Sequence, residues 1–175
     1  MGRLLKLLAL AALILNHSVL AQSTVKASAT VSASLVNGLS LSNSTGNLTF
    51  GDIILTSSGQ TKTISPSSGV AFDVTGFPNK NITISFSNIS LTNDVWVTKN
   101  GGAKATLLFS PEIHHTEGSN NYITGISIVS GNSVKLANAE NGMGKLYLWL
   151  GGSLTAAEAQ ADGDYSGSFA IDIAY

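Results

Sequence analysis

Apolar residues recur at every second position through most of the chain, and this period restricts the fold more than any other feature. In the stretch NITISFSNI, for example, Ile82, Ile84 and Phe86 alternate with threonine and serine. Because successive side chains of an extended backbone point to opposite faces, the pattern predicts strands with one buried face and one solvated face. About ten such runs, separated by turn residues, predict an all-β fold, an antiparallel β-sandwich of the immunoglobulin-like or pilin-like kind.

The same alternation predicts where the individual strands lie. Asn100 and Gly101 separate two alternating runs and predict a tight hairpin. Thr155 and Glu158 have the spacing of a helical capping box, so we expect at most one short helical turn near 155–161. The predicted strands cover residues 25–35, 39–41, 47–55, 61–65, 69–76, 81–89, 94–97, 104–110, 122–130, 133–137, 145–154 and 165–175.

The first 21 residues have the features of a cleaved signal peptide. Arg3 and Lys6 supply positive charge, an apolar run follows, and Val19 and Ala21 stand at the two positions that a signal peptidase reads. The apolar run is too short to span a bilayer. We therefore expect a single β-sandwich domain over residues 22–175, exported through the periplasm and then secreted or held at the cell surface.

Cysteine is absent and charge is sparse, which excludes several functions. The chain has 9 Lys and Arg residues against 10 Asp and Glu residues, for a formal net charge of −1. Without cysteine there is no zinc–thiolate site, no thiol catalysis and no redox role. The basic residues are scattered singly, so they form no patch for a phosphate backbone, and we expect no nucleic-acid partner.

A histidine pair, His114 and His115, lies in the cluster with the best composition for a metal. His115 and Glu117 share a face of an extended chain, but a metal site needs at least a third ligand. Pro111 before the cluster, and glycine, serine and asparagine after it, predict a solvated loop over residues 111–121. We therefore expect no metal and no cofactor.

Catalysis has little support in the sequence. The histidines that remain after signal cleavage both lie in this predicted loop, and the GxSxG motif does not occur. We therefore expect that the protein is not an enzyme. Asp162 and Asp164 flank a glycine, which resembles part of a calcium loop without the rest of an EF-hand run, and calcium binding stays open.

Four aromatic residues offer an alternative function, a platform on which a sugar could stack. Aromatic residues on strands are more often core or cross-strand partners, which is the interpretation we favour. The four are Trp96, Tyr122, Tyr147 and Trp149.

Motifs near both ends of the mature chain resemble one bacterial family. LTFGDI follows the alternating N-terminal segment, and LGGSL precedes the closing GDYSGSFAIDIAY. Together they resemble the secreted β-domain family catalogued as domain of unknown function DUF4402. Members of that family resemble fimbrial subunits of the chaperone-usher type, which implies a pilin-like assembly role. Those subunits often carry a disulfide, and this chain has no cysteine.

The closing segment is also a strand by its own pattern, with an aromatic and aliphatic face. A strand at a chain end is ordinarily held by a sheet, so we expect this one to be central to the fold. Its face consists of Tyr165, Gly167, Phe169, Ile171, Ile173 and Tyr175.

The opening segment TVKASATVSASL alternates small apolar residues with hydroxyl residues, and two interpretations of it stay open. It is either the first strand of a complete sandwich, or a donor strand, within residues 22–36, that inserts into a neighbouring subunit. Unpaired, such a strand would be an aggregation hazard, so it must pair in either case. Its apolar face consists of Val25, Ala27, Ala29, Val31, Ala33 and Leu35.

The sequence therefore predicts an exported structural subunit of a surface filament or fimbria-like assembly, joined by strand donation. Its partners would be copies of itself or related subunits, with a periplasmic chaperone and outer-membrane assembly machinery as further candidates. The alternative is a monomeric secreted binding domain, for example for carbohydrate or surface adhesion.

Overall fold

The computed structural model of the protein describes residues 30, 32, 38–55, 58–138 and 142–175. The chain divides into two compact units, Met1–Ser34 and Leu35–Tyr175. Only Thr30 and Ser32 of the first unit are among the described residues, and the fold below is that of the second unit. The predicted signal peptide and the apolar face of the predicted donor strand, from Val25 to Leu35, lie outside the described residues.

Two antiparallel sheets form the domain, which confirms the predicted all-β sandwich. The strands are β1 Ser40–Asn43, β2 Gln60–Ile64, β3 Val70–Gly76, β4 Asn81–Phe86, β5 Ile89–Thr92, β6 Thr106–Glu117, β7 Ile126–Ile128, β8 Asn132–Lys135, β9 Ala137–Asn138, β10 Gly144–Ala156 and β11 Ile171–Ala174. The larger sheet has eight strands. In it, β1, β3, β10, β6 and β5 lie side by side, β2 and β9 also pair with β10, and β7 pairs with β6; the smaller sheet has the order β11, β4, β8.

The long strands β6 and β10 form the centre of the larger sheet. They pair from Leu146 opposite Glu117 to Thr155 opposite Leu108. Most of their inward residues, every second one along each strand, are buried, as the alternation predicts; Pro111 and Glu117 of β6 are the exceptions. Each fully buried leucine or isoleucine contributes about 1.5–3 kcal/mol to stability.

The core lies between the two sheets. Ile82 and Ile84 of β4 are completely buried, as the sequence predicts, and they belong to the same cluster as Val74, Leu146 and Leu148 of the larger sheet. The alternating pattern of β4 therefore predicts both its secondary structure and its buried face.

A helix replaces the strand and the hairpin that were predicted around residues 94–101. Helix α1 spans Asp94–Asn100 and ends at Gly101, which has a φ of 79° and donates its N–H to Val97. Asp94 in the first turn and Lys99 in the last turn complement the helix dipole. Val95 is 66% exposed. The valines of this short segment thus have no facing sheet to hold them in a strand, and the prediction was wrong.

Residues 47–55 were predicted to form a strand, and the structure assigns them none. Gly51 has a φ of 63°, a left-handed conformation that interrupts an extended chain. The predicted helical turn near 155–161 is a single turn, in which Gln160 donates its N–H to Ala157, and β10 continues through Ala156. A separate 3-10 turn lies at Pro66–Ser68.

The closing strand is shorter than predicted. Only Ile171–Ala174 form β11, paired with β4 from Phe86 to Thr83, and Ser166 forms an isolated bridge with Thr92. Residues 167–170 have no partner strand because β4 ends at Phe86. In the described part of the chain, no helix has the length and apolar character that a membrane span requires.

Candidate functional site

An open groove of about 1070 Å³ lies on one half of the sandwich. Its first wall consists of residues 46–55 and its second wall of residues 160–169. The floor is apolar and belongs to strands β3, β5, β6 and β10 of the larger sheet; it includes Val70, Phe72, Ile89, Leu91, Leu107, Phe109, Leu150 and Leu154. These floor side chains belong to, or pack on, the main core.

The groove exists because the smaller sheet covers only part of the larger one. No residue of β4, β8 or β11 lines it. Over the other half of the sandwich, where β4 supplies Ile82 and Ile84, the core is closed by a regular sheet. Over the groove half, the layer that faces the larger sheet consists of irregular segments, so the second sheet is incomplete there.

The backbone of the first wall makes few hydrogen bonds to the other segments that the structure describes. Within the described residues, no backbone–backbone hydrogen bond joins residues 47–55 to another segment. The Lys62 Nζ donates to the Asp52 carbonyl at 2.9 Å. Backbone groups that pair with no other described strand, beside an apolar floor, are the two features that an added strand needs.

The second wall is held in place by side chains. The Gln160 amide donates to the Tyr165 hydroxyl at 2.7 Å, and that hydroxyl donates to the Ala161 carbonyl. The Asn93 amide, completely buried, donates to the Asp162 carbonyl at 3.0 Å. The wall is therefore fixed to the body of the domain.

Three phenylalanines cross the groove from wall to wall. Phe50 of the first wall and Phe169 of the second each contact Phe109 of the floor, with ring centroids 5.8 Å apart and interplanar angles of 71° and 88°. Edge-to-face contacts of this kind contribute about 0.5–1.5 kcal/mol beyond area burial. We call Phe50, Phe109 and Phe169 the aromatic triad.

The LGGSL motif makes room for this arrangement. A Cβ on Gly152, whose φ is 145°, would lie 2.4 Å from the Ser110 carbonyl oxygen and 2.7 Å from the Phe109 ring. A Cβ on Gly151 would lie 2.3 Å from the Ile64 carbonyl oxygen. The two glycines thus let neighbouring backbones and the central ring of the triad approach β10 closely.

The charged residues that line the groove are all acidic. They are Asp52, Asp162 and Asp164. Among the residues that the structure describes, no group of three histidine or acidic side chains is placed to hold a metal ion. Asp162 and Asp164, considered for calcium, therefore lie on the groove wall without a third ligand of that kind.

The histidine pair lies in a strand, and the prediction of a solvated loop over residues 111–121 was wrong for its first part. β6 continues to Glu117 because it pairs with β10 on one side and with β7 on the other. His114 and His115 consequently point to opposite faces of the sheet. They do not share a site.

His114 lies on the outer face in a small polar and aromatic cluster. One ring nitrogen, Nδ1, is 2.5 Å from the Tyr122 hydroxyl, and the other, Nε2, is 3.0 Å from a Glu112 carboxylate oxygen. The Tyr122 ring also contacts Trp149 edge-on, with centroids 5.4 Å apart. Of the four aromatic residues proposed as a platform, the structure thus brings these two together, and it places Trp96 on α1.

His115 lies on the inner face and is 6% exposed. Its Nδ1 has no hydrogen-bond partner among the described residues. Burial lowers the pKa of His115 below its usual value of 6.5; the charge of Glu117 opposes this effect and His114 adds to it. His115 is therefore a buried residue that prefers to be neutral.

Of the residues predicted for assembly, the apolar face from Val25 to Leu35 lies outside the described residues. In the closing segment, Tyr165, Gly167 and Phe169 line the groove, whereas Ile171 and Ile173 belong to β11 and pack on the core. The Tyr175 hydroxyl accepts the Phe77 N–H at 2.6 Å. The groove itself was not predicted, although its walls contain the LTFGDI and GDYSG motifs.

Comparison with known proteins agrees with the resemblance seen in these motifs. The family model described as "Domain of unknown function (DUF4402)" matches residues 39–175, well over half of the chain. No curated protein and no solved structure matches significantly. The expected likeness to fimbrial subunits stays a prediction. The chain belongs to the DUF4402 family.

Proposed function

We propose that the protein is an exported structural subunit of a bacterial surface filament or fimbria-like assembly. In this assembly, residues 25–35 of one copy insert as a strand into the groove of the next copy. The observation that carries the proposal is the groove itself, an apolar floor beside residues 47–55, whose backbone pairs with no other described backbone segment, in a sandwich whose second sheet is incomplete.

The donor segment suits this groove in pattern. Its alternating side chains would place one apolar row on the floor and one hydroxyl row toward solvent. Eleven extended residues span about 36 Å. Each valine or leucine that becomes buried in this way would contribute about 1.5–3 kcal/mol.

The donor segment also suits the groove in charge. Lys26 is its one ionisable residue, and it belongs to the outward row. Among the described residues, the groove lining contains three aspartates and no lysine or arginine, and the one ammonium placed against its first wall is that of Lys62 at the Asp52 carbonyl. An inserted strand would therefore bring a cation to an acidic rim and no charge to the apolar floor.

Several apolar residues of the groove are only partly buried, among them Phe50, Phe72, Ile89 and Leu91, and Ile54 of the first wall is 80% exposed. Exposed apolar surface of this kind favours aggregation during export. A periplasmic chaperone that covers the groove, and outer-membrane machinery that exchanges the chaperone for the next subunit, are accordingly the partners we propose. Nothing in this role requires catalysis or a cofactor.

Sedimentation of the mature chain tests the proposal. We expect concentration-dependent oligomers for residues 22–175, and we expect Ala29→Asp to abolish them because it places a charge on the apolar floor. The matched control, Ser28→Asp, lies on the outward row and should assemble. A mature chain that stays monomeric at all concentrations, or an Ala29→Asp variant that assembles normally, contradicts the proposal.

A second candidate function, a secreted carbohydrate-binding domain, is favoured by one observation. Tyr122 and Trp149 meet on the outer face of the larger sheet, with the polar groups of His114 and Glu112 beside them. A glycan array probed with the mature chain and with Trp149→Ala distinguishes the two. This candidate is supported over the first if the mature chain is strictly monomeric and binds a glycan, and if Trp149→Ala abolishes that binding.

A further inference from the structure

We infer that the aromatic triad is the specificity element of the groove, and that it selects a strand with small residues where it crosses the triad. In this chain those residues are Ala27 and Ala29. The inference rests on the proposed strand donation and goes further, because it fixes which part of the donor lies at which part of the acceptor.

The triad fills the groove from both sides and from below. Phe109 is 3% exposed on the floor, and its ring is covered by Phe50 and Phe169, which reach it from the two walls. Phe169 also contacts Phe86, with ring centroids 6.5 Å apart, which supports it from the side of the smaller sheet. The rings are thus packed against one another and against fixed neighbours.

The floor ring cannot easily sink to admit a large side chain. The Phe109 ring lies so close to Gly152 that a Cβ added to Gly152 would be 2.7 Å from the ring. Packed interiors resist added methylene groups, because side chains are then forced out of their preferred rotamers. A strand that crosses the triad must therefore present small inward side chains at that point.

At one place in the donor segment, two successive inward residues are both small. Ala27 and Ala29 are about 6.6 Å apart in an extended chain, and Val25 and Val31 flank them. Two methyl groups at this spacing would pass over the Phe50 and Phe169 rings that cover Phe109. The flanking valines then reach the parts of the floor on either side of the triad.

Size substitutions test the inference in the full mature chain. Ala29→Leu should weaken self-association about tenfold or more, because it overpacks the triad. Two control variants add comparable bulk elsewhere: Ser28→Leu on the outward row and Ala33→Leu on the inward row beyond the triad. Both should associate within about threefold of the unmodified chain. Self-association is measured by sedimentation velocity over a dilution series.

A compensating substitution gives the sharpest readout. Phe50 is half-buried in the first wall, so Phe50→Ala opens space at the triad without emptying the floor. The double variant Ala29→Leu with Phe50→Ala should recover most of the lost association. If Phe50→Ala lowers the unfolding midpoint so far that the fold is lost, Phe169→Leu serves as the second opening variant.

The outcomes separate the two proposals. Association of the unmodified chain that Ala29→Leu leaves unchanged overturns the role of the triad and leaves strand donation standing. Loss of association in all three leucine variants alike also overturns it, because bulk rather than position would then matter. Absence of association in the unmodified chain refutes strand donation itself.

Discussion

The buried amide of Asn93 donates a hydrogen bond to the backbone carbonyl of Asp162, at 3.0 Å, and thereby joins the start of α1 to the second wall of the groove. The same side chain donates to the Ala103 carbonyl and accepts from the Ala105 N–H. The Asn93 side chain thus joins the loop at Ala103, the residue that precedes β6 (Ala105) and the second wall of the groove. It stands in the family-matched part of the chain.

Replacement of Asn93 by alanine should destabilise the domain by about 3 kcal/mol, because it leaves buried backbone groups without partners. Urea unfolding followed by tryptophan fluorescence measures the change. Asn100→Ala is the matched control: its amide donates to the Trp96 carbonyl from an exposed position, and its loss should cost less than about 1 kcal/mol. Equal effects of the two substitutions would contradict the role given to Asn93.

Acid should destabilise the domain through His115. The pKa of His115 is lowered in the folded state, so the unfolded chain binds the proton more readily. Stability is then fully present above the usual pKa of 6.5 and is lost as the pH falls through that value toward the lower folded-state pKa. The groups that oppose or reinforce this effect are Glu117 and His114.

The measurement is the urea midpoint between pH 8 and pH 5, for the unmodified chain and for His115→Leu. We expect the midpoint of the unmodified chain to fall with pH more steeply than that of the variant. Identical pH dependence in both proteins would show that His115 is not the group responsible.

Gly152→Ala should destabilise the domain by more than about 2 kcal/mol, since it adds both an unfavourable φ and a clash with Ser110 and Phe109. Gly131→Ala isolates the first effect, because Gly131 has a φ of 88° but nothing within 4 Å of its Cβ position. The difference between the two variants in thermal or urea unfolding is the contribution of the close approach. If Gly152→Ala lowers the free energy of unfolding no more than Gly131→Ala does, the close contact does not contribute to stability.

Tyr175→Phe should cost about 1 kcal/mol, the usual net value of one hydrogen bond, because it removes the acceptor of the Phe77 N–H. Hydrogen exchange of the Phe77 amide should become faster in the variant. Tyr147→Phe is the control, since among the described residues the Tyr147 hydroxyl has no hydrogen-bond partner. Unchanged protection of the Phe77 amide would contradict the contact.

Alternation predicted the sandwich well wherever a second sheet was present to bury one face. Ile82 and Ile84 illustrate this, because their pattern and their burial coincide. The same pattern failed for residues 47–55, where Leu48 and Phe50 pack on the core without a neighbouring strand. The period of a sequence reports burial on one side, and it carries no information on whether a neighbour pairs with the backbone.

The opposite error occurred in β6. Pro111 and the polar residues after it are typical of a loop, yet two neighbouring strands hold this segment in the sheet. Pro111 lies opposite Gly152, the residue that also accommodates Phe109. Such pairings join residues far apart in the chain, and for the same reason the groove, built from segments more than a hundred residues apart, was not predicted.

The most direct measurement of the central claim uses the absence of cysteine in the chain. One protein carries Ser28→Cys in the donor segment, a second carries Ser168→Cys on the exposed second wall, and the two are mixed with a short thiol cross-linker. Ser133→Cys, on β8 and outside the groove, replaces Ser168→Cys in the control mixture. We predict a cross-linked heterodimer in the first mixture and little in the control. Equal cross-linking in both mixtures, or cross-linking only when both thiols are placed in one copy, would contradict donation of the N-terminal strand between copies.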